Sequence, residues 1–338
     1  MSAYIFIFIF LLVCSIFSKK NSILFIMAFV LMLFVAGFRD TSVGTDTQNY
    51  YEIYEYFRLE TYPSWFTIEP GWRVINNLAV KMHAGYSMVV FLASLFTLVP
   101  IFFTVWKYSD RPFVSILFFY LLFFYFQSFN IARQMIAIAI MFSAYNDYLH
   151  EKKKAFYVQI FIAGLFHYSA IIGLAIPFIF KYVRLEVAKT VFILPATYIF
   201  GIVLIPNLVQ YVPLVGQYSV YLLGDATASF SIPRLLINCL CLLFISASCR
   251  NDNLLKLFYL GIVCYNLFAF SETIGRCALY FMSSQMILFT NFRSLYAGNK
   301  TFLSAVSFIY GLVYLSVLLV NNNGEVLPYS NHILSSLL

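Results

Sequence analysis

The chain has 338 residues, of which 62% are hydrophobic and only 10% are charged, and its mean hydropathy is +0.85. No water-soluble domain of this length has such a composition, so the sequence predicts an integral membrane protein built from helices. The formal net charge of +7 therefore reflects membrane topology and lipid contacts. Because bases and aromatic residues are not interleaved in the manner of a soluble nucleic-acid binder, nucleic acid is excluded as a partner.

Six cysteines lie within or beside apolar runs: Cys14, Cys239, Cys241, Cys249, Cys264 and Cys277. Their spacing contains no Cys-x-x-Cys pair and no Cys–His pattern of the kind that holds a metal ion. We therefore interpret them as small buried hydrophobic residues. The sequence predicts neither a metal centre nor a cofactor.

Residues 3–17 and 21–37 predict two spans, joined by a turn that contains two lysines. Because lysine and arginine accumulate in cytoplasmic loops, this turn is expected in the cytoplasm and the N-terminus outside. Polar residues then predominate over 38–85, which we interpret as the main periplasmic loop. Within this loop, the spacing of aromatic residues predicts a short amphipathic helix over 47–58.

The next three spans are predicted over residues 86–106, 113–129 and 131–148. The third ends at the basic run 150–154, which is the strongest cytoplasmic marker in the chain. Residues 155–180 form either one long span or two short segments hinged near His167. We favour the hinge, because it keeps the following bases in the cytoplasm and because broken helices are stable where they line an enclosed or wet cavity.

Five further spans are predicted over residues 190–205, 233–249, 257–270, 278–292 and 301–320. A second periplasmic loop, 206–232, follows the first of them. No internal repeat is visible, so the whole chain, 1–338, is treated as a single polytopic membrane domain. The predicted fold is all-α and transmembrane, with about 11–12 membrane segments, one of them broken.

Three arginines and one histidine fall at or just below the outer surface in this topology: Arg39, Arg133, His167 and Arg276. The arginines run against the positive-inside bias, and three at one depth indicate a common anionic ligand. A planar guanidinium suits phosphate oxygens and stays charged at any working pH, so a diphosphate is the expected ligand. Local partners are the alternative explanation, because Asp40 adjoins Arg39 and Glu272 precedes Arg276 by four residues.

Arg133 lies at the start of a predicted helix, where Asn130, Gln134 and Ala137 share its face. A charge in the hydrocarbon costs about 2.5–3.5 kcal/mol at the helix centre on insertion scales, so it needs a partner or a function. A snorkelling arginine at a helix end is the structural alternative. Neither explanation is preferred for Arg133 alone, and the two other arginines in similar settings favour a binding role.

Two residues are candidates for the base that would deprotonate a sugar hydroxyl, Asp46 and His167. Glycosyl transfer of the inverting type needs such a group near the attacking hydroxyl and positive charge at the departing phosphate. Asp46 equally suits the N-cap of the 47–58 helix, and Glu69 in its Pro-Gly context equally suits a turn. A histidine on an apolar helix is often only a core residue, so the base remains open between these candidates. Trp65 and Trp72 fit either sugar stacking or the interfacial aromatic belt, and the belt is favoured.

Four ordered motifs carry a resemblance to a known family: Gly37-Phe-Arg-Asp40 with Val43-Gly-Thr-Asp-Thr47 and Tyr50; Asn130-Ile-Ala-Arg-Gln134 with Ala137; Phe166-His-Tyr-Ser-Ala170; and Arg276 with Tyr280. In order and spacing they resemble the EpsG-like branch of the O-antigen and exopolysaccharide polymerases, the Wzy proteins. The resemblance covers about residues 35–285. The chain ends and the loop 206–232 contribute no recognisable signal.

This resemblance implies a bacterial inner-membrane glycosyltransferase with a GT-C-like fold and a site that faces the periplasm. Such an enzyme acts in lipopolysaccharide or other polysaccharide biosynthesis and transfers a glycan from undecaprenyl diphosphate to the non-reducing end of another lipid-linked repeat unit. It uses no nucleotide sugar and no metal. By analogy, Arg39, Arg133, Gln134 and Arg276 would bind the diphosphate, and Asp46 or His167 would act on the acceptor hydroxyl, with Arg133 stabilising the leaving group. The expected partners are the lipid-linked donor and acceptor, the bilayer and, as a candidate, a chain-length regulator.

Three other functions remain open at this stage. An O-antigen ligase would use the same donor, although ligases usually carry their large outer loop late in the chain. A flippase or transporter of lipid-linked oligosaccharide would show ionisable residues through the full membrane depth, often with internal repeats. A membrane acyltransferase is the weakest alternative, because His167 has no accompanying acyl-transfer motif.

Overall fold

The structure is a computed structural model that describes residues 1–63, 67–209, 231–248, 252–291 and 297–331. Helices dominate these ranges, and no strand is found in them beyond isolated bridges, one of which pairs Arg39 with Asn331. The predicted all-α class is confirmed. The chain divides into two compact units, the first formed by Met1–Ile172 with Gly311–Leu338 and the second by Gly173–Tyr310.

The first unit contains nine helices in the described ranges: α1 (Ser2–Phe17), α2 (Ser22–Gly37), α3 (Thr47–Leu59), α4 (Pro70–Lys81), α5 (Gly85–Tyr108), α6 (Pro112–Leu121), α7 (Phe124–Asn130), α8 (Ala132–Leu149) and α9 (Lys153–Phe166). Helix α8 lies between α5 and α9 and packs along both of them. The main predicted loop, 38–85, contains α3 and α4, and the predicted helix over 47–58 is observed as α3.

The second unit begins within the 3₁₀ segment Tyr168–Ala175. Its helices are α10 (Ile176–Tyr182), α11 (Val187–Ile199), α12 (Ile205–Val209), α13 (Ile232–Ala247), α14 (Asn253–Leu267), α15 (Glu272–Gly275), α16 (Leu279–Met282) and α17 (Gln285–Leu288). Helix α18 (Lys300–Val320) crosses from this unit back into the first. Most of the second predicted loop, 206–232, lies outside the described residues, as does Trp65.

Within the described part of the chain, three helices are long and apolar enough to cross a membrane by themselves: Gly85–Tyr108, Val187–Asn207 and Lys300–Val320. Helices α6 and α7 pass the same test only as a pair, and they are bent by 52° at the break between them. Five shorter apolar helices account for further predicted spans. The structure thus agrees with a polytopic membrane protein, although many spans that the sequence presents as continuous are short or interrupted.

Two of these interruptions matter for the site. Phe123 has a left-handed backbone (φ 67°), which ends α6 and redirects the chain into α7. His167 is extended (φ −158°, ψ 118°) and ends α9, so the hinge predicted near this residue is observed. The break before α7 is held by buried tyrosines, because Tyr120 donates to the Tyr4 carbonyl at 2.8 Å and Tyr125 to the Met32 carbonyl at 2.8 Å.

The second unit is organised around a buried pair of amides. Asn238 of α13 and Asn266 of α14 donate to each other's side-chain oxygens at 3.1 and 2.8 Å. The Asn266 amide also donates to Thr197 of α11 at 3.2 Å. A π-helical segment follows α11 and brings Gly201 so close to α14 that a Cβ there would lie 1.9 Å from the Asn266 carbonyl oxygen. These buried polar groups tie three helices together by mutual hydrogen bonding.

Candidate functional site

The site begins with the residue that precedes α4. Pro70 occupies the first turn of α4, where a missing N–H costs nothing, and Glu69 lies just before it with an extended backbone. Gly71 permits a close approach to the end of α9, because a Cβ at this position would lie 2.8 Å from the Phe166 ring and 2.9 Å from the Leu165 carbonyl oxygen. This contact brings Glu69 beside His167, the residue that follows α9.

Glu69 joins two residues that the sequence had singled out separately. Arg133 Nη1 donates to Glu69 Oε2 at 2.5 Å, and His167 Nδ1 lies 3.0 Å from Glu69 Oε1. The Glu69 side chain is 6% exposed, whereas those of Arg133 and His167 are 29% and 30% exposed. A buried carboxylate therefore holds an arginine and an imidazole that both remain accessible. We call Glu69, Arg133 and His167 the Glu69 triad.

The charge state of Glu69 determines which imidazole nitrogen is available. Burial acts to raise the pKa of Glu69, but the hydrogen bond with His167 and the positive charge of Arg133 outweigh it, so the pKa lies below its ordinary value. An ionised carboxylate can only accept hydrogen bonds, so His167 Nδ1 must carry the hydrogen. In the neutral ring the lone pair then lies on Nε2, which is the form that can accept a proton from a substrate hydroxyl.

Aromatic residues of the loop helices form a wall beside the triad. The Arg133 guanidinium carbon lies 5.9 Å from the ring centroid of buried Tyr50 on α3. The Tyr50 ring packs in turn against Trp72 of α4 at 4.9 Å between centroids. Burial raises the pKa of Tyr50, which therefore stays a neutral hydroxyl beside the guanidinium. Cation–π contact and the ion pair together fix the orientation of Arg133.

Arg39 lies in the same unit but in a different environment. It is 4% exposed, and its guanidinium donates to the Ala36 carbonyl at 2.5 Å and the Phe129 carbonyl at 3.2 Å. These carbonyls belong to the last turns of α2 and α7, where the helix dipoles are negative. The salt bridges found among the described residues do not include Arg39. In the structure the Arg39 guanidinium joins the ends of α2 and α7.

The motif around Asn130 serves as a docking point for the loop that follows Arg39. Thr45 donates its hydroxyl hydrogen to the Asn130 side-chain oxygen at 3.0 Å, and Gly44 adopts a φ of 107° against the end of α7. The C-terminal segment completes this contact, because the Gly44 N–H donates to the Glu325 carbonyl at 3.0 Å and the Thr45 N–H to the Gly324 carbonyl at 3.2 Å. Two of the sequence motifs are thus in direct contact.

The other predicted site residues lie at the start of α3, on α8 and in the second unit. Asp46 occupies the N-cap position of α3 and is half-buried, without a capping bond from its side chain. Gln134 is buried beside Arg133 on α8. Arg276 belongs to the second unit, where its guanidinium lies 3.3 Å from Glu272, the partner expected from the i,i+4 spacing. The structure brings Arg133 and His167 together, and the roles of Asp46, Arg39, Gln134 and Arg276 stay predictions.

The sequence did not indicate that Glu69 would contact both Arg133 and His167. Its Pro-Gly context suggested a turn residue, and 98 positions separate it from His167. The available signal was indirect: an arginine at the start of a predicted membrane helix needs a partner, and Glu69 is an acid of the adjoining loop. Among the described residues, no three His, Cys, Asp or Glu side chains are grouped as metal ligands.

A second polar cluster lies at the other end of α8. Asp147 accepts from Lys107 at 3.1 Å and from the Gln159 amide at 2.8 Å, and it also accepts from the Tyr108 hydroxyl. Lys152 lies 3.5 Å from the same carboxylate. These contacts join the C-terminal ends of α5 and α8 to the start of α9. We call this group the Asp147 cluster.

A comparison with known proteins gives one family and no individual relative. The model of the EpsG family matches residues 22–331, which is nearly the whole chain. No curated protein and no solved structure matches the chain.

Proposed function

The chain belongs to the EpsG family, whose members are Wzy-type polymerases, and from this membership we propose a specific transfer reaction. The protein transfers a growing glycan from undecaprenyl diphosphate to the non-reducing end of another lipid-linked repeat unit of an O-antigen or exopolysaccharide. The reaction takes place on the periplasmic side of the bacterial inner membrane. The observation that carries this proposal is the Glu69 triad, which joins a phosphate-binding side chain to a proton acceptor.

The depth of the triad suits a lipid-linked substrate. Arg133 and Asp147 are 14 positions apart on α8, so they are separated by about 21 Å along the helix. The hydrocarbon core of a bilayer is about 30 Å thick. We take the basic run after α8 as the mark of the cytoplasmic boundary, because lysines accumulate in cytoplasmic loops, and the Asp147 cluster then lies at this boundary. The Glu69 triad then lies about 9 Å below the outer boundary, within reach of a diphosphate whose isoprenoid chain stays in the membrane.

The proposed reaction is a single displacement. His167 Nε2 takes the proton of the acceptor hydroxyl, whose oxygen attacks the anomeric carbon of the donor glycan. The new C–O bond forms as the bond between that carbon and the diphosphate oxygen breaks, so undecaprenyl diphosphate leaves with the electron pair. Arg133 turns its guanidinium to the departing phosphate oxygens and stabilises their charge. Glu69 holds Nδ1–H and stabilises the imidazolium that forms, as a carboxylate does in other histidine-based sites.

The first test is complementation of a deletion strain with wild type, Arg133→Ala and Arg58→Ala. Arg58 is the matched control, because it is an exposed arginine on α3 that pairs with Glu55. It lies in the same predicted loop, 38–85, as Glu69. We expect the deletion to leave only core plus one repeat unit on a polysaccharide gel. Wild type and Arg58→Ala restore the polymer ladder, whereas Arg133→Ala does not, at equal protein levels in the membrane.

Other outcomes point elsewhere. Free, fully polymerised lipid-linked chains in the deletion strain would identify a ligase, and loss of lipid-linked units from the periplasmic side would identify a transporter. Disappearance of the Arg133→Ala protein from the membrane would assign the arginine a structural role. Restoration of the ladder by a stable Arg133→Ala protein would contradict the phosphate role directly.

A further inference from the structure

Helix α4 presents two different exposed stripes beside the site. Val74, Leu78 and Met82 are 57%, 41% and 59% exposed, and their spacing of four places them along one side of the helix. Arg73, Asn77 and Lys81 are also exposed and form a second, polar stripe immediately beside the first. The opposite face of α4 is buried in the core of the first unit. An apolar and a basic stripe thus run in parallel along one helix.

Helix α4 lies next to α5, which is long and apolar enough to span a membrane. Only residues 82–84 connect α4 to α5, so the two helices form an antiparallel hairpin. Residues of both helices share one hydrophobic cluster. At the far end of α4, Gly71 touches Phe166, whose ring lies 6.1 Å from that of Phe96 on α5. Phe96 is 11 positions into α5, about 16 Å from its start, so α4 runs beside the first half of this span.

The basic stripe ends at the Glu69 triad. Arg73 lies one turn after Glu69, and its Nε donates to the Ile68 carbonyl at 2.9 Å, which holds the guanidinium at the start of α4. Lys81 lies two turns further along the same side. From the α4–α5 turn to the triad, α4 covers about 18 Å. A positive charge therefore lies near each end of the path from the loop tip to the proposed phosphate-binding arginine, with the amide of Asn77 between them.

We propose that α4 is the lateral entry surface for the polyprenyl-diphosphate-linked substrate. The isoprenoid chain lies against Val74, Leu78 and Met82, and the diphosphate passes along Lys81 and Arg73 to Arg133. This inference rests on the proposed function, because it identifies how the substrate of that reaction reaches its site. Each half of this lipid fits one stripe. The isoprenoid chain contacts apolar side chains, and the two phosphates contact the two bases, Arg73 and Lys81. Because the two stripes end at the Glu69 triad, we assign them to the lipid that reacts there and not to an ordinary phospholipid, which is not a substrate of the proposed reaction.

Direct binding tests the surface without requiring polymerisation. The full-length protein in nanodiscs of zwitterionic phospholipid is titrated with three probes: undecaprenyl diphosphate, undecaprenol and inorganic pyrophosphate. Two double variants are compared with wild type, Arg73→Gln with Lys81→Gln, and Val74→Ser with Leu78→Ser. The matched controls are Arg58→Gln and Leu59→Ser, which alter an exposed arginine and a leucine that is 55% exposed on α3.

The two stripes predict different patterns. The basic-stripe variant should bind undecaprenyl diphosphate at least about tenfold more weakly and undecaprenol unchanged. The apolar-stripe variant should bind both lipids more weakly and pyrophosphate unchanged. Equal binding by wild type and both double variants would overturn the inference, and so would equal weakening by the α3 controls.

The KM for the lipid-linked donor and the kcat, measured together, test the entry surface and the proposed polymerase reaction separately. If the protein is a polymerase, the α4 variants should raise the KM for the lipid-linked donor and leave kcat near that of wild type, because α4 delivers the substrate and takes no part in bond exchange. A fall in kcat with unchanged KM would overturn the entry role while leaving polymerase activity established. Probe binding that depends on α4 in a protein without polymerase activity would instead contradict the proposed function alone.

Discussion

A buried carboxylate lies at each end of α8, Glu69 beside its start and Asp147 near its last turn, and the two carboxylates have different partners. Asp147 accepts from Lys107, Tyr108 and Gln159 and lies near Lys152, so four side chains from α5, α8–α9 and α9 converge on it. Glu69 has two side-chain partners, and both reach the surface. At the Asp147 end four side chains share one carboxylate, whereas at the Glu69 end the carboxylate holds a guanidinium and an imidazole, both partly exposed.

The types of partner reinforce this contrast. Lysine ammonium groups and neutral donors around Asp147 tie helix ends together, and His150 nearby stacks on Tyr108 at 4.2 Å between ring centroids. The Glu69 triad instead contains a planar guanidinium, which matches phosphate oxygens, and an imidazole, which can accept a proton from a hydroxyl. A buried ion pair therefore does not by itself indicate a site. The number and the chemical type of the partners distinguish the proposed functional end from the other one.

The largest expected effect comes from removing an imidazole at each end. His167→Ala should lower the initial rate of polymer formation by about 10²–10⁴-fold, because a positioned general base contributes that much. His150→Ala is the matched control, since it removes a histidine that packs against Tyr108 in the Asp147 cluster. It should leave the rate per molecule near that of wild type. Equal rates for the two variants, measured with purified protein and lipid-linked repeat units, would show that the triad is not catalytic.

An intermediate effect is expected from neutralising each carboxylate. Glu69→Gln keeps the shape but removes the charge that orients Arg133 and His167, so the rate should fall by about 10–100-fold with modest loss of thermal stability. Asp147→Asn should show the reverse, with a lower melting temperature and a nearly normal rate per folded molecule, because its charge has two lysines as partners. A crossed result, in which Asp147→Asn loses activity at full stability, would contradict the division of roles between the two ends.

Several elements of the first unit could be predicted from local pattern. The helix expected over 47–58 is Thr47–Leu59, and the residues of the span expected over 131–148 form the helix Ala132–Leu149. The break at His167 was also predicted, because charge placement on either side of 155–180 required it. Periodicity and the positive-inside rule act over short distances, so they are sufficient for these features.

Other features depend on tertiary contacts that leave no local signal. Residues 113–129 present an uninterrupted apolar run, yet the chain bends at Phe123, where neither proline nor glycine marks the break. The docking of the C-terminal segment on Gly44 joins positions almost 300 residues apart. Arg39 binds helix carbonyls and Arg276 pairs with Glu272, and neither contact has a local sequence signal of an anionic site. The role of the three arginines at one anionic ligand stays a prediction.

The smallest expected effect is a pH-dependent contribution of Glu69 to stability. Because the pKa of this carboxyl is lower in the folded protein than its ordinary value of 4.5, the ionised form favours folding. That contribution is fully present above the unfolded pKa and is lost as the pH falls through the folded pKa. The melting temperature of wild type should therefore exceed that of Glu69→Gln by a constant margin near pH 7, and this margin should shrink below about pH 4.5. A margin that stays constant down to pH 3, measured in detergent by thermal unfolding, would show that Glu69 is not held ionised by Arg133 and His167, and the distinction between the two carboxylates would then rest on geometry alone.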